Sequence, residues 1–377
     1  MKKTLITALI FLGFKTLNAQ ETTTTITTIA PKASTEPSVE KNPFTFSGFV
    51  EIFYCYDFGV PENHTRPSFF YNYNRSNELN LNLGFIKANY ANDNVRANLA
   101  LMVGTYAQYN LAGEQPLLQN AFEANVGVKI SKDNNLWIDA GILPSHIGFE
   151  SAIGVVNKTL TRSILAENSP YYESGAKISY SSKSSQWYLS AMYLNGWQRI
   201  QKIEDNQTPA FGTQVSYTSI SKKSFYNWST YVGNEQPDND KKWRYFNNFY
   251  GQFVTSEKTN IIVGFDIGMQ QASTKSSNYD VWFSPVIIAQ YNPISKIQIA
   301  VRGEYFQDPK GVIIPTDTTN GFKTYGFSAN VDYLPFKNVM LRLEARTLNS
   351  KDDIFLNKMG DPSASNQFLT TSLAVSF

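Results

Sequence analysis

The chain has 377 residues, of which 14% are aromatic and only 17% charged, and its mean hydropathy is −0.30. Globular domains carry about 25% charged residues, so apolar side chains here are interleaved with uncharged polar ones. A formal net charge of +2 gives a nucleic-acid partner no electrostatic footing, and a single cysteine, Cys55, excludes an internal disulfide.

Residues 1–19, MKKTLITALIFLGFKTLNA, place Lys2 and Lys3 before a short apolar core from Leu5 to Phe14 and end on Ala19 before Gln20. This is the pattern of an export signal peptide cleaved after Ala19, with a core too short to span a bilayer. Gln20, not a cysteine, directly follows the cleavage point, which argues against a lipid anchor. Removal leaves thirty basic and thirty-one acidic side chains, a mature net charge of −1. Residues 20–43 are rich in Thr, Pro and Ser without an apolar period and read as a disordered periplasmic linker.

From Phe44 onward, segments alternate apolar with polar or small residues, the period of two that marks a strand. The clearest are FTFSGFVEIFYCY (44–56), NVRANLALMVGTY (94–106), FEANVGVKI (122–130), GAKISY (175–180), IIVGFDIGM (261–269), KIQIAVRGEY (296–305), FKTYGFSANVDY (322–333) and VMLRLEART (339–347). In the last of these, Val339, Leu341, Leu343 and Ala345 take one face and Arg342, Glu344 and Arg346 the other. The closing segment NQFLTTSLAVSF alternates in the same way and stops on Phe377.

The breaks between segments alternate long and short. Long ones fall at 59–73, 111–118, 144–170, 197–209, 234–241, 272–279, 308–320 and 349–364; short ones are ANDN, SKDNN, SSKSS, SKKS, SEKT, NPIS and PFKN. A membrane barrel requires this order, and a soluble sandwich has no reason to keep it. The expected fold is all-β: a transmembrane antiparallel up-and-down β-barrel of about 16 strands over 44–377, with long extracellular loops and short periplasmic turns, in the outer membrane of a Gram-negative bacterium. Closure pairs the last strand with the first, so no edge is exposed. Tyr54, Tyr56, Tyr90, Tyr106, Tyr172, Tyr180, Trp187, Tyr217, Trp243, Tyr291, Tyr305 and Tyr333 lie near strand ends and read as interface girdles.

If the aliphatic faces meet lipid, the pore-lining set includes Arg96, Glu123, Asp139, Lys177, Asp266, Arg302, Glu304, Arg342, Glu344 and Arg346. A Lys or Arg facing lipid at mid-depth costs about 2–4 kcal/mol, which forbids the inverse. Both signs together fit a water-filled path; the alternative is pairing across a plugged interior. Arg302, Arg342 and Arg346, on the thirteenth and fifteenth strands, are expected to form a basic patch. The longest break, PSHIGFESAIGVVNKTLTRSILAENSP (144–170), is rich in apolar residues that need burial. Its expected place is the barrel interior, with Glu150, Lys158, Arg162 and Glu167 setting the constriction. A helical cap over the barrel mouth is the competing arrangement.

The segments DAGILPSHIGFESAIG (139–154), TLTRSILAENSPYYESGAKISY (159–180) and FSGFVEIFYCYDFG (46–59) resemble the beta-barrel porin-2, OmpL-like family of outer-membrane proteins. The resemblance implies a barrel with a porin role and no catalytic residues to carry over. Phe377 resembles the terminal assembly signal of such proteins, which implies outer-membrane lipid and the barrel assembly machinery as partners. Porins of this size are often trimers, so a homo-oligomer fits, although no trimer signature is visible.

Catalytic readings find little support. Only His64 and His146 are available as bases, and Ser145 and His146, adjacent in an extended segment, point apart. Glu62 and His64 fall short of a metal ligand set. The expectation is no enzyme, no cofactor and no metal, but an outer-membrane porin-like channel for passive diffusion of small hydrophilic solutes. A non-conducting barrel presenting surface loops for adhesion or assembly is the alternative.

Overall fold

The computed structural model describes residues 42–377; the expected signal peptide and all but the end of the linker lie outside them. Sixteen strands close into one antiparallel barrel. In chain order these are β1 (Phe44–Asp57), β2 (Leu79–Ala91), β3 (Val95–Val103), β4 (Ala121–Lys129), β5 (Asn135–Pro144), β6 (Tyr172–Ser181), β7 (Trp187–Leu194) and β8 (Ala210–Thr218). There follow β9 (Ser224–Asn234), β10 (Trp243–Val254), β11 (Thr259–Gln271), β12 (Tyr279–Ile294), β13 (Ile297–Asp308), β14 (Phe322–Phe336) and β15 (Val339–Ser350), and the ring closes through β18 (Ser365–Ser376). Two short strands, β16 (Phe355–Leu356) and β17 (Pro362–Ser363), form a separate ribbon in the last long loop. No helix among the described residues is long and apolar enough to cross a membrane.

The period-two pattern sorts the faces as expected. On β15, Leu341 and Leu343 are exposed toward lipid while Arg342 and Glu344, alternating with them, are buried, and on β18 exposed Leu369 alternates with buried Thr370. Closure sets Val50 opposite Val375 and Ile52 opposite Leu373. At the seam, Gly48 N–H donates to Phe377 O at 2.7 Å and Phe377 N–H donates back to Gly48 O at 3.0 Å. The Phe377 ring lies directly over Gly48, where a Cβ would collide with it. Deleting Phe377, or replacing it with Asp, is therefore expected to lower the amount of folded barrel far more than Ser34→Asp in the linker. The heat-modifiable band on a denaturing gel reads this, and equal yields would deny the terminal ring any role.

Two aromatics depart from the expected girdle. The segment 94–106 does not run as one strand: β3 ends at Val103, and Gly104, at φ 125°, turns the chain into a short helix α1 (Thr105–Asn110). That positive φ favours glycine. Tyr106 thereby points inward at 2% exposure, edge-on to Tyr171 at 5.7 Å. Tyr172 is also buried, its hydroxyl donating to Glu114 at 3.1 Å.

The interior carries three apolar clusters, the smallest joining Leu165 and Ala166 of the β5–β6 loop to Ile262, Val286 and Ile288. The largest, at the long-loop end, joins Phe69 and Phe70 of the first long loop to Phe306, Phe322, Phe355 and Phe368. The second lies against β1–β5 and includes Phe49, Leu83, Met102, Tyr106 and Ile153. Apolar loop segments thus find burial inside the barrel wall, a nearby place shielded from water.

Candidate functional site

Residues 145–171, which join β5 to β6, cross the barrel interior and contact its far wall. Leu160 N–H donates to Asn330 Oδ1 at 3.0 Å, Thr161 N–H to Glu344 at 2.6 Å and Ile164 N–H to Glu304 at 2.7 Å. Gly148 N–H donates to Asn248 on β10 at 3.1 Å. A single helical turn, α2 (Ile164–Glu167), is capped by Ser163, whose hydroxyl accepts from Ala166 N–H at 3.2 Å. The arrangement is an inward loop and not a cap over the mouth.

Arg162 organises this loop from within. Its guanidinium donates to the carbonyls of Ser151 at 2.5 Å, Leu160 at 2.6 Å and Ala152 at 2.8 Å, and it is fully buried. Glu150 accepts from the backbone N–H and the hydroxyl of Ser163. Glu167 accepts from the N–H groups of Tyr71 at 2.9 Å and Asn72 at 3.2 Å, tying the inward loop to the first long loop. Burial pushes the Glu167 pKa up to about 7 against those hydrogen bonds. Of the four charged loop residues, Glu150 and Lys158 border open volume, whereas Arg162 and Glu167 are sealed in contacts.

The inward charges of β13–β15 form a balanced network in place of a basic patch. Arg302 donates to Glu344 at 2.9 Å, Arg346 to Glu304 at 2.6 Å, and Arg342 to both Asp332 oxygens at 2.7 and 2.8 Å. Each arginine also holds the loop: Arg302 binds Thr161 O at 2.6 Å, Arg346 binds Arg162 O at 2.8 Å, and Arg342 binds Gly154 O at 2.8 Å. The acids share the same strand face as the arginines: Arg342 and Asp332 pair in register across β14 and β15, and the Arg302–Glu344 and Arg346–Glu304 pairs reach diagonally over β14, which neutralises the patch. These five wall residues of the expected pore-lining set, Arg302, Glu304, Arg342, Glu344 and Arg346, are inward but covered by the loop. Asp266 is likewise buried, against Asn248 at 2.6 Å.

Charges elsewhere on the wall keep access to open space. A cavity of about 830 Å³ lies beneath the loop, bordered by Glu123, Glu150, Lys158 and the short turns around Lys183 and Lys222. Its mouth is therefore on the short-turn side, the periplasmic one. A second, much smaller cavity is lined by Glu123, Asp139, Lys177 and His146. Arg96 pairs with Asp139 at 2.6 Å while lying over Trp137 at 4.4 Å.

The inward charges that escaped the sequence reading are Asp57, Arg244 and Asp308, together with Lys87 and Glu51. Lys87 on β2 pairs with Glu123 at 2.6 Å, and Glu51 on β1 accepts from Tyr73 Oη at 2.8 Å. The β1–β2 register shifts opposite Glu51 and Ile52, where β2 carries the extra residue, Asn82. One extra residue reverses which face a period of two assigns. Lys87 alternating with Ile86 and Ala88 was the available signal, visible only if the phase is counted from the strand's C-terminal half.

His146 anchors the start of the loop. Its Nδ1 lies 2.7 Å from Glu173 and its Nε2 2.8 Å from Thr230 O, while Ser229 donates to His146 O at 2.6 Å. Both ring nitrogens thus face acceptors, a geometry that only the imidazolium satisfies in full. Burial and Lys177 oppose the charge, yet Glu173 and the Thr230 carbonyl hold the His146 pKa above its ordinary value. A raised histidine contributes stability that is whole below its unfolded value of about 6.5 and lost as pH rises through the folded value. Loop anchoring is therefore expected to weaken on the alkaline side. Protease nicking within 145–171 should increase with pH in the wild type, and a profile identical in His146→Gln would show that another group titrates.

A model of the beta-barrel porin-2, OmpL-like family matches residues 43–377. Among solved structures the chain is similar to the outer membrane channel DcaP of Acinetobacter baumannii, at TM-score 0.59 and 11% identity over 89% of this chain and 97% of that one. It is also similar to an anion-selective porin from Comamonas acidovorans, at TM-score 0.58 and 8% identity over 89% and 99%. The trimer form of the outer membrane protein OmpT of Vibrio cholerae follows at TM-score 0.54 and 10% identity, again over 89% and 99%. No curated protein matches the sequence. Family and fold together point to a porin-type outer-membrane channel rather than an enzyme.

Proposed function

Since the chain belongs to the beta-barrel porin-2, OmpL-like family of outer-membrane barrels, we propose that it passes small hydrophilic solutes by diffusion through a path narrowed by residues 145–171. The observation that carries this reading is a closed barrel whose mixed-charge loop reaches the far wall above a periplasm-facing cavity of about 830 Å³. The residues proposed to meet the solute are Lys87, Glu123, Asp139, Lys177, Glu150 and Lys158. Arg162 and the β13–β15 network are proposed to hold the loop. Outer-membrane lipid outside and the barrel assembly machinery at Phe377 complete the expected partners, and the trimer form of the Vibrio protein lends support to a homo-oligomer.

One observation favours a second reading, a barrel that conducts little and acts through its surface loops: the aromatic cluster around Phe69 and Phe322 packs the long-loop end. Planar-bilayer recording of the purified protein separates the two. Discrete ohmic steps are expected, and a silent but correctly folded barrel would favour the surface reading.

A further inference from the structure

The cavity beneath the inward loop is unevenly charged. Four lysines, Lys87, Lys158, Lys183 and Lys222, border it against two carboxylates, Glu123 and Glu150. Both carboxylates are already engaged: Glu123 by Lys87 at 2.6 Å, and Glu150 by Ser163, with the Arg302 guanidinium 3.9 Å away. Lys158 is different. Among the described residues no hydrogen bond or ion pair holds its ammonium, and nearby Asp332 has both oxygens bound to Arg342. Burial and the Arg342 charge draw the Lys158 pKa below the usual lysine range, as befits a cation short of a counter-ion.

The same cavity has aromatic walls on two sides. Phe85 stacks on Phe122 with centroids 4.9 Å apart, and Tyr106 meets Phe122 edge-on at 6.4 Å. Across the lumen, Tyr250 sits between Phe149 at 5.5 Å and Phe225 at 5.6 Å. Phe85 is on β2 and Tyr250 on β10, eight steps around a ring of sixteen, so the two rows face each other. A volume of about 830 Å³ suits a small molecule, and such sites combine apolar walls with a few placed polar groups.

Resting on the channel reading and naming its solute class, we propose that this cavity binds a small carboxylate with a flat apolar body. The carboxylate pairs with Lys158, the body lies between the two aromatic rows, and Lys183 and Lys222 flank the periplasmic mouth.

Isothermal titration of the detergent-folded protein with benzoate, benzyl alcohol and benzylamine tests this, since the three probes share a ring and differ in charge. Benzoate is expected to bind about tenfold more tightly than benzyl alcohol, with benzylamine weakest. In Lys158→Gln the preference for benzoate over benzyl alcohol should vanish. Benzylamine binding as tightly as benzoate, or a benzoate preference untouched by Lys158→Gln, would overturn the proposal. If that variant does not fold, the comparison of the three probes on the wild type decides alone. Benzoate binding by a barrel silent in bilayers keeps the site and removes the channel; conductance without benzoate binding does the reverse.

Discussion

Replacing residues 148–168 with a short Gly-Ser connection is expected to raise single-channel conductance several-fold. The loop's ends are close, because Pro144 and Tyr172 are directly paired neighbours on β5 and β6. A short link can therefore join them, and shortening a loop lowers its closure entropy. What leaves the lumen is a large body: Leu160, Arg162, Ser163 and Ile164 are fully buried in the wild type. Its removal opens the space between the β13–β15 network and the opposite wall and exposes Arg302, Arg342 and Arg346 to water. Planar-bilayer recording measures the change, with heat-modifiable migration as the check on folding. A folded variant of unchanged conductance would move the barrier to the aromatic cluster at the long-loop end.

Arg342→Met is expected to destabilise the folded state by about 3–5 kcal/mol, the usual consequence of breaking a buried ion pair from one side. The substitution leaves Asp332, at 0% exposure, without its cation, and removes the donors of Gly154 O and Asn157 O at 2.8 and 3.1 Å. The uncompensated buried charge costs most, and the lost loop contacts add to it. The double variant Asp332→Asn with Arg342→Met should recover much of the loss, because both charges then disappear together. Urea titration of the barrel in lipid vesicles gives the comparison. A double variant as unstable as the single one would show that loop contacts, and not the orphaned carboxylate, set the effect.

How much of this was legible in the sequence depends on the range of the interaction. A strand's two faces are fixed by neighbours two residues apart, so the alternation in VMLRLEART placed Leu341 and Leu343 outward and Arg342 and Glu344 inward, as the structure has them. Turn lengths are equally local, and their long-short order carried the barrel topology. The pattern failed where an extra residue, Asn82, reversed the phase of β2, and where Gly104 ended β3 early and sent Tyr106 inward.

Partners of the inward charges belong to a longer range. The residues that join Arg302 to Thr161, Arg342 to Gly154 and Glu344 to Thr161 are between 141 and 188 positions apart. No periodicity reaches that far. Charge sign and face were readable, but whether Arg302, Arg342 and Arg346 met water, one another or acids depended on register around the closed ring and on the path of the loop across it. By itself the sequence determined a closed barrel of alternating strands with an apolar-rich loop that needed burial. Only the tertiary structure decided that this loop covers the arginine wall and leaves Lys158 facing a cavity, because closure, and not local preference, brings those distant segments together.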